Sequence, residues 1–104
     1  MTIQINTDKT ITGEKRSSDF FRSQIDEALQ RFESHITRIE VHLKDEKGNK
    51  DGFNNISCLL EARLEGRQPI AINNHADTID FAVTGAIEKT KTAVETILGK
   101  IQKH

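Results

Sequence analysis

No tryptophan and no tyrosine occur in the 104 residues, and cysteine, proline and methionine occur once each. A single cysteine, Cys58, excludes an internal disulfide, as expected of a protein kept in a reducing compartment. It lies between Ile56 and Leu60 on an alternating run. A small core hydrophobe is the reading that position supports, because a reactive thiol needs exposure and a cationic neighbour. No apolar run approaches the ~18 residues of a membrane span. No basic-then-apolar leader opens the chain, so a soluble, cytoplasmic protein is expected. Charge of one sign is also missing: 15 Lys and Arg against 16 Asp and Glu leave a net charge of -1. Bulk electrostatics therefore give nucleic-acid binding no support, and only a local cluster can supply it. Finally, there is no nucleophile with its base, no carboxylate pair placed in a cleft and no metal-ligand spacing. The chain is expected to be non-enzymatic, with no cofactor, no metal and no small-molecule substrate. The histidines, His35, His42, His75 and His104, scatter over a helix end, an outward strand face, a loop and the terminus.

What the chain does have is an ordered set of periodicities. Runs alternating every second residue, Ile39-Val41-Leu43, Ile56-Cys58-Leu60-Ala62-Leu64 and Ile70-Ile72, sit between two stretches that repeat every three to four, and a short run, Ile3-Ile5, leads. The helical stripes follow Phe21-Ile25-Leu29-Phe32 and Ile79-Val83-Ile87-Val94-Leu98-Ile101. Each element has one face that leaves water. The order predicts an α+β fold, βαβββα, in which two helices cover one face of a four-stranded sheet around a single modest core, one domain over residues 1–104.

Along the chain the first strand is expected at about Thr2 to Thr7. A helix capped by Ser17 or Ser18 follows and runs to about Ser34, and the second strand is at about Thr37 to Asp45. The segment from Glu46 to Gly52 has mixed charge, two glycines and nothing to bury, and reads as a mobile hairpin loop. The third strand, about Asn55 to Glu65, turns at Gly66-Arg67 into a fourth whose Pro69 suits an edge or a strand start. Asn73-Asn74-His75 reads as the lead into a last helix over about Thr78 to Lys103, capped by Asp77. At 1.5 Å per residue that helix is roughly 39 Å long. Gly85 inside it costs about 1 kcal/mol relative to alanine, which a close approach of the helix backbone to the sheet justifies.

Two surfaces carry candidate chemistry. From Lys89 onward, Lys89, Lys91, Lys100 and Lys103 face only Glu95, a local excess of three positive charges. Arg16, Arg22 and Arg31 belong to the first helix and its approach. Helices lying side by side place these residues along one groove suited to a phosphate backbone. Lysines near a helix C-terminus also favour its dipole, so the cluster has a purely structural explanation as well. The other surface is the uncovered sheet face, where Glu40, His42 and Lys44 on one strand meet Glu61, Arg63 and Glu65 on the next, and cross-strand ion pairing accounts for them. Leu59 is the apolar exception there. It supports an alternative, a protein-interaction module working through Leu59, His42 and Arg63 in stress or transcription responses.

Nearly the whole chain resembles the ribosome hibernation-promoting factor family, also called ribosome-associated inhibitor A or sigma-54 modulation proteins. The likeness rests on a leading I-Q-I-N (Ile3 to Asn6), on R-F-E-S-H-I-T-R-I-E-V-H-L (Arg31 to Leu43) and on E-A-R-L-E-G-R-Q-P-I (Glu61 to Ile70). A-V-T-G-A-I-E-K (Ala82 to Lys89) is similar to the family's A-I-D-G-L-I-D-K, which matches Gly85 and Lys89. The resemblance implies a domain like those that bind double-stranded RNA. It also implies a partner, the small ribosomal subunit, bound through ribosomal RNA in the channel of messenger RNA and tRNA, with translation silenced in stationary phase or stress. Carried over residue by residue, Lys89 is the leading RNA contact, Lys91, Lys100 and Lys103 follow on the same helix, and Arg22, Arg31 and Arg38 are weaker candidates. Thr92 and Thr96 stand where family members often place Arg or Lys, and Asp80 where the family has a tyrosine, so the basic surface is thinner. The chain is similar to a short form without the C-terminal dimerisation domain of long members. The sequence leaves open the oligomeric state and whether ribosome dimers are promoted or prevented.

Overall fold

The computed structural model describes residues 1–7, 15–46 and 55–102. Its elements are β1 (Thr2–Thr7), α1 (Lys15–Leu29), a 3-10 turn (Gln30–His35), β2 (Ile36–Asp45), β3 (Ile56–Leu64), β4 (Ile70–Ala76) and α2 (Ile79–Gln102). The strands form one sheet in the order β1-β2-β3-β4. β1 runs parallel to β2, with Ile3 beside Ile39 and Ile5 beside Val41. The other pairs are antiparallel, with Val41 beside Leu60 and Leu60 beside Ile72. Side-by-side residues point to the same face, so the register gathers every alternating apolar run on one side. Both helices cover that side.

The predicted runs supply the core, with Ile3, Ile5, Ile70, Ile72 and Ile79 partly buried at its edge and the Ile101 side chain outside the described set. Ile39, Val41, Leu43, Cys58, Leu60 and Ala62 from the sheet meet Phe21, Ile25 and Leu29 of α1 and Val83, Ile87, Val94 and Leu98 of α2, all buried. Burial pushes the Cys58 thiol up to about 12, so it stays a neutral hydrophobe. Ile36 is also buried although it stands three residues from Ile39, which breaks a period of two. A bulge between Ile36 and Arg38 absorbs the extra residue: Ile36 pairs Leu64, Arg38 pairs Arg63, and Thr37 between them donates its hydroxyl to the Arg63 carbonyl at 3.2 Å.

Four local expectations are corrected. α1 begins at Lys15, so Ser17 and Ser18 lie inside the helix and do not cap it. It ends at Leu29, and the chain continues to His35 as a 3-10 turn. With three residues per turn, Phe32 stays on the face of Leu29 and is buried. β4 extends through Asn73, Asn74 and His75 to Ala76. Polar residues there read as a loop, but Asn74 takes a half-buried position and donates to the Ala82 carbonyl at 3.0 Å and the Phe81 carbonyl at 3.4 Å. The cap of α2 is Thr78, whose hydroxyl accepts from the Phe81 N–H at 3.1 Å, one residue after the expected Asp77.

The close approach expected at Gly85 is present, since a Cβ there would stand 2.3 Å from Asn74 Nδ2. The turn from β3 to β4 places Gly66 in the left-handed region at φ 70, with the Arg67 N–H donating to the Leu64 carbonyl at 3.3 Å. Pro69 then falls just before β4, where its missing donor breaks no ladder. The loop expected from Glu46 to Gly52 lies outside the described residues beyond Glu46.

Candidate nucleic-acid interface

The two helices lie side by side and run the same way. Gln24 Nε2 donates to Thr84 Oγ1 at 3.3 Å, and further along both helices Arg31 donates to Glu95 Oε1 at 3.0 Å. The Arg31 guanidinium also lies over the Phe32 ring, 4.6 Å from its centroid. Between these bridges a shallow depression is lined by Glu27, Ala28, Gln30, Arg31 and Lys91. The groove is thus mixed in charge, two cations alternating with Glu27 and Glu95.

Of the predicted contacts, the structure brings together Arg31 and Lys91. Lys89 is exposed, but two positions along a helix rotate a side chain by about 200°, so it points away from Lys91 and the groove. Arg22 sits on the flank of α1 toward β1, paired with Asp19 at 2.8 Å and donating to the Ile3 carbonyl at 3.5 Å. Arg38 projects from the opposite, open face of the sheet, where it donates to Glu40 at 2.9 Å and to Gln4 Oε1. Lys100 is on α2 and Arg16 on the first turn of α1, with side chains outside the described set. Lys103 lies outside the described residues. Among the described residues neither Lys89 nor Lys91 makes an ion pair.

The open face behaves differently. Register places Glu40 directly beside Glu61, a like-charge pair that is unfavourable alone. Arg38 neutralises one side, and His42 Nε2 stands 3.7 Å from Glu61 and 3.9 Å from Glu40. Ligand atoms of Glu40, His42 and Glu61 fall within 4.8 Å of one another, the one group of this kind among the described residues. Arg38 already occupies Glu40, so the cluster is explained as a charge ladder. Leu59, beside His42 and Asn73, is half-buried.

Sequence reasoning missed two residues on the helix side. Phe20 and Phe81 are the exposed large hydrophobics among the described residues, at 62% and 69%. The available signal was that each phenylalanine falls off its helix's buried stripe, Phe20 next to the buried Phe21 and Phe81 next to the buried Ala82.

A mixed β-sheet with two parallel helices on one face and an open, charged second face defines a βαβββα sandwich. Residues 10–102 match the model of the family described as Sigma 54 modulation protein / S30EA ribosomal protein, and the chain belongs to that family. Among solved structures, it is similar to the N-terminal domain of Protein Y from Thermus thermophilus, with 14% identity, a TM-score of 0.73 and coverage of 93% of this chain and 99% of that one. It is similar too to a ribosomal subunit interface protein from Coxiella burnetii, with 15% identity, a TM-score of 0.69 and coverage of 95% and 99%. These likenesses show the same fold. No curated protein matches the sequence.

Proposed function

We propose that this chain is a non-enzymatic ribosome-binding factor that occupies the messenger RNA and tRNA channel of the small subunit and silences translation in stationary phase or stress. The observation that carries the reading is the family match over residues 10–102, joined to a fold shared with a protein described as a ribosomal subunit interface protein. The action is steric. Lys91 and Arg31 in the groove, and Lys89 outside it, hold ribosomal RNA phosphates, with Lys100 and Lys103 as further contacts, and the body of the domain excludes tRNA. Arg22 and Arg38, engaged by Asp19 and Glu40, contribute less. The site of action is cytoplasmic, and no helix among the described residues is long and apolar enough to cross a membrane. The alternative, a protein-interaction module on the open sheet face, has only Leu59 in its favour, and one half-buried leucine among paired charges is no contiguous patch.

Sedimentation of stationary-phase lysate through sucrose gradients at low and moderate salt, with immunodetection, tests the proposal. Co-migration with small subunits or whole ribosomes, weakened by salt, is expected because phosphate contacts release counterions. Protein confined to the top of the gradient at both salts would overturn it.

A further inference from the structure

The proposal above leaves Phe20 and Phe81 unused. Both stand in helices whose inner stripes are complete without them: Phe21 is 4% exposed and Ala82 fully buried, whereas Phe20 and Phe81 keep most of their rings in water. Phe20 touches the edge of the Phe21 ring, centroids 5.7 Å apart, and contributes little else to the core. Their positions are linked through the Gln24–Thr84 bridge. Phe20 is four residues before Gln24 and Phe81 three before Thr84, one turn back along each helix and on the same side as the bridging residue. Because the helices run parallel, both rings stand at the same end of the inter-helix groove, beyond the segment lined by Arg31 and Lys91.

We infer that Phe20 and Phe81 form an aromatic platform that stacks on an unpaired nucleobase of ribosomal RNA, an assignment that rests on the ribosome reading above. Three features favour a nucleobase over an apolar protein surface. Among the described residues, the exposed neighbours of the rings along the two helices are polar or charged, Asp19, Ser23, Asp80 and Thr84, so two planar faces are offered there and not the continuous apolar area that a protein interface buries. Unpaired RNA bases are held by such rings, and every base has a face to stack. The charge of this end also tolerates a phosphate. Asp19 is neutralised by Arg22 at 2.8 Å, and the positive dipole ends of both helices point here, offset in part by Asp80. The groove then reads in two parts, cations for the backbone in its middle and rings for a base at its end.

The test uses the full chain, purified small ribosomal subunits and an anisotropy binding curve. Replacing both phenylalanines by alanine is expected to weaken binding by about tenfold per ring. Replacement of both by leucine, which keeps the apolarity and loses the ring, is expected to weaken it nearly as much, and replacement by tyrosine to leave it within about twofold. A photo-crosslinking phenylalanine analogue at position 81 is expected to label ribosomal RNA. An alanine pair that binds like the parent, a leucine pair that does so, or crosslinks only to ribosomal protein would each overturn the inference while leaving the ribosome reading intact. A parent protein that does not bind small subunits would overturn both.

Discussion

The molecule has two solvent faces that treat charge differently, although Lys44 and Arg63 on the open sheet face, like Lys89 and Lys91 on the helix face, make no ion pair among the described residues. On the open sheet face Arg38, Glu40, His42 and Glu61 lie within reach of one another and answer each other across strands. On the helix face Arg31 and Glu95 form an ion pair between the two helices, while Lys89 and Lys91 have no ion-pair partner among the described residues, and two phenylalanines stand in water. Charges already satisfied within the fold gain little from a ligand. Cations and rings left without internal partners are the ones a polyanion can use, and among the described residues only the helix face offers both, which makes it the functional candidate.

The contrast can be sharpened within one strand. Leu60 is fully buried under the helices, and Leu59, the next residue, is on the open face. Leu60→Ala is expected to cost about 2–5 kcal/mol in urea unfolding. By contrast, Leu59→Asp is expected to cost under about 1 kcal/mol and to leave ribosome sedimentation unchanged; loss of ribosome association with the fold intact would move function to the open face. Cys58 gives a pH signature of the covered side. Its folded-state pKa of about 12 lies above the ordinary 9.0, so the folded state keeps a proton that the unfolded chain releases. The stabilisation is complete below pH 9 and is lost as pH rises toward 12, at most about 1.4 kcal/mol per pH unit. Equilibrium unfolding of the parent and Cys58→Ala between pH 9 and 11 should show this slope in the parent alone. Smaller still is the Gly85–Asn74 contact. Gly85→Ala alone should be neutral or destabilising by about 1 kcal/mol because Asn74 must release the Ala82 carbonyl, whereas in an Asn74→Ala background the same change should stabilise by up to about 1 kcal/mol through helix propensity.

Most of the fold was legible because an apolar alternation and an apolar helical stripe report burial directly. Ile39, Val41, Leu43 and the β3 run read correctly from period alone. Boundaries failed where a polar side chain serves a tertiary purpose: Asn74 has no strand pattern to show, because its partners are backbone carbonyls in the first turn of α2, which leave no mark in the residue types of the strand. Ile36 was invisible for a similar reason, since a bulge shifts the period without leaving a mark in composition. The basic cluster on the last helix was legible as a count but not as a surface. Spacing of two residues puts Lys89 and Lys91 on different sides, and Arg38, close to the first helix in sequence, emerges on the opposite face of the sheet. Phe20 and Phe81 lie off the stripes, and they were passed over because a single apolar residue beside a stripe does not by itself reveal how much of its ring meets water.

The most direct test of the account is the salt dependence of binding to purified small subunits, comparing the parent with Lys89→Glu/Lys91→Glu on the helix face and Arg38→Glu on the sheet face. The account predicts that the helix-face pair lowers affinity more than tenfold and flattens the slope of log affinity against log salt by about two, while Arg38→Glu changes the slope by less than about one. An unchanged slope for the lysine pair, with the larger loss on the sheet face, would contradict it.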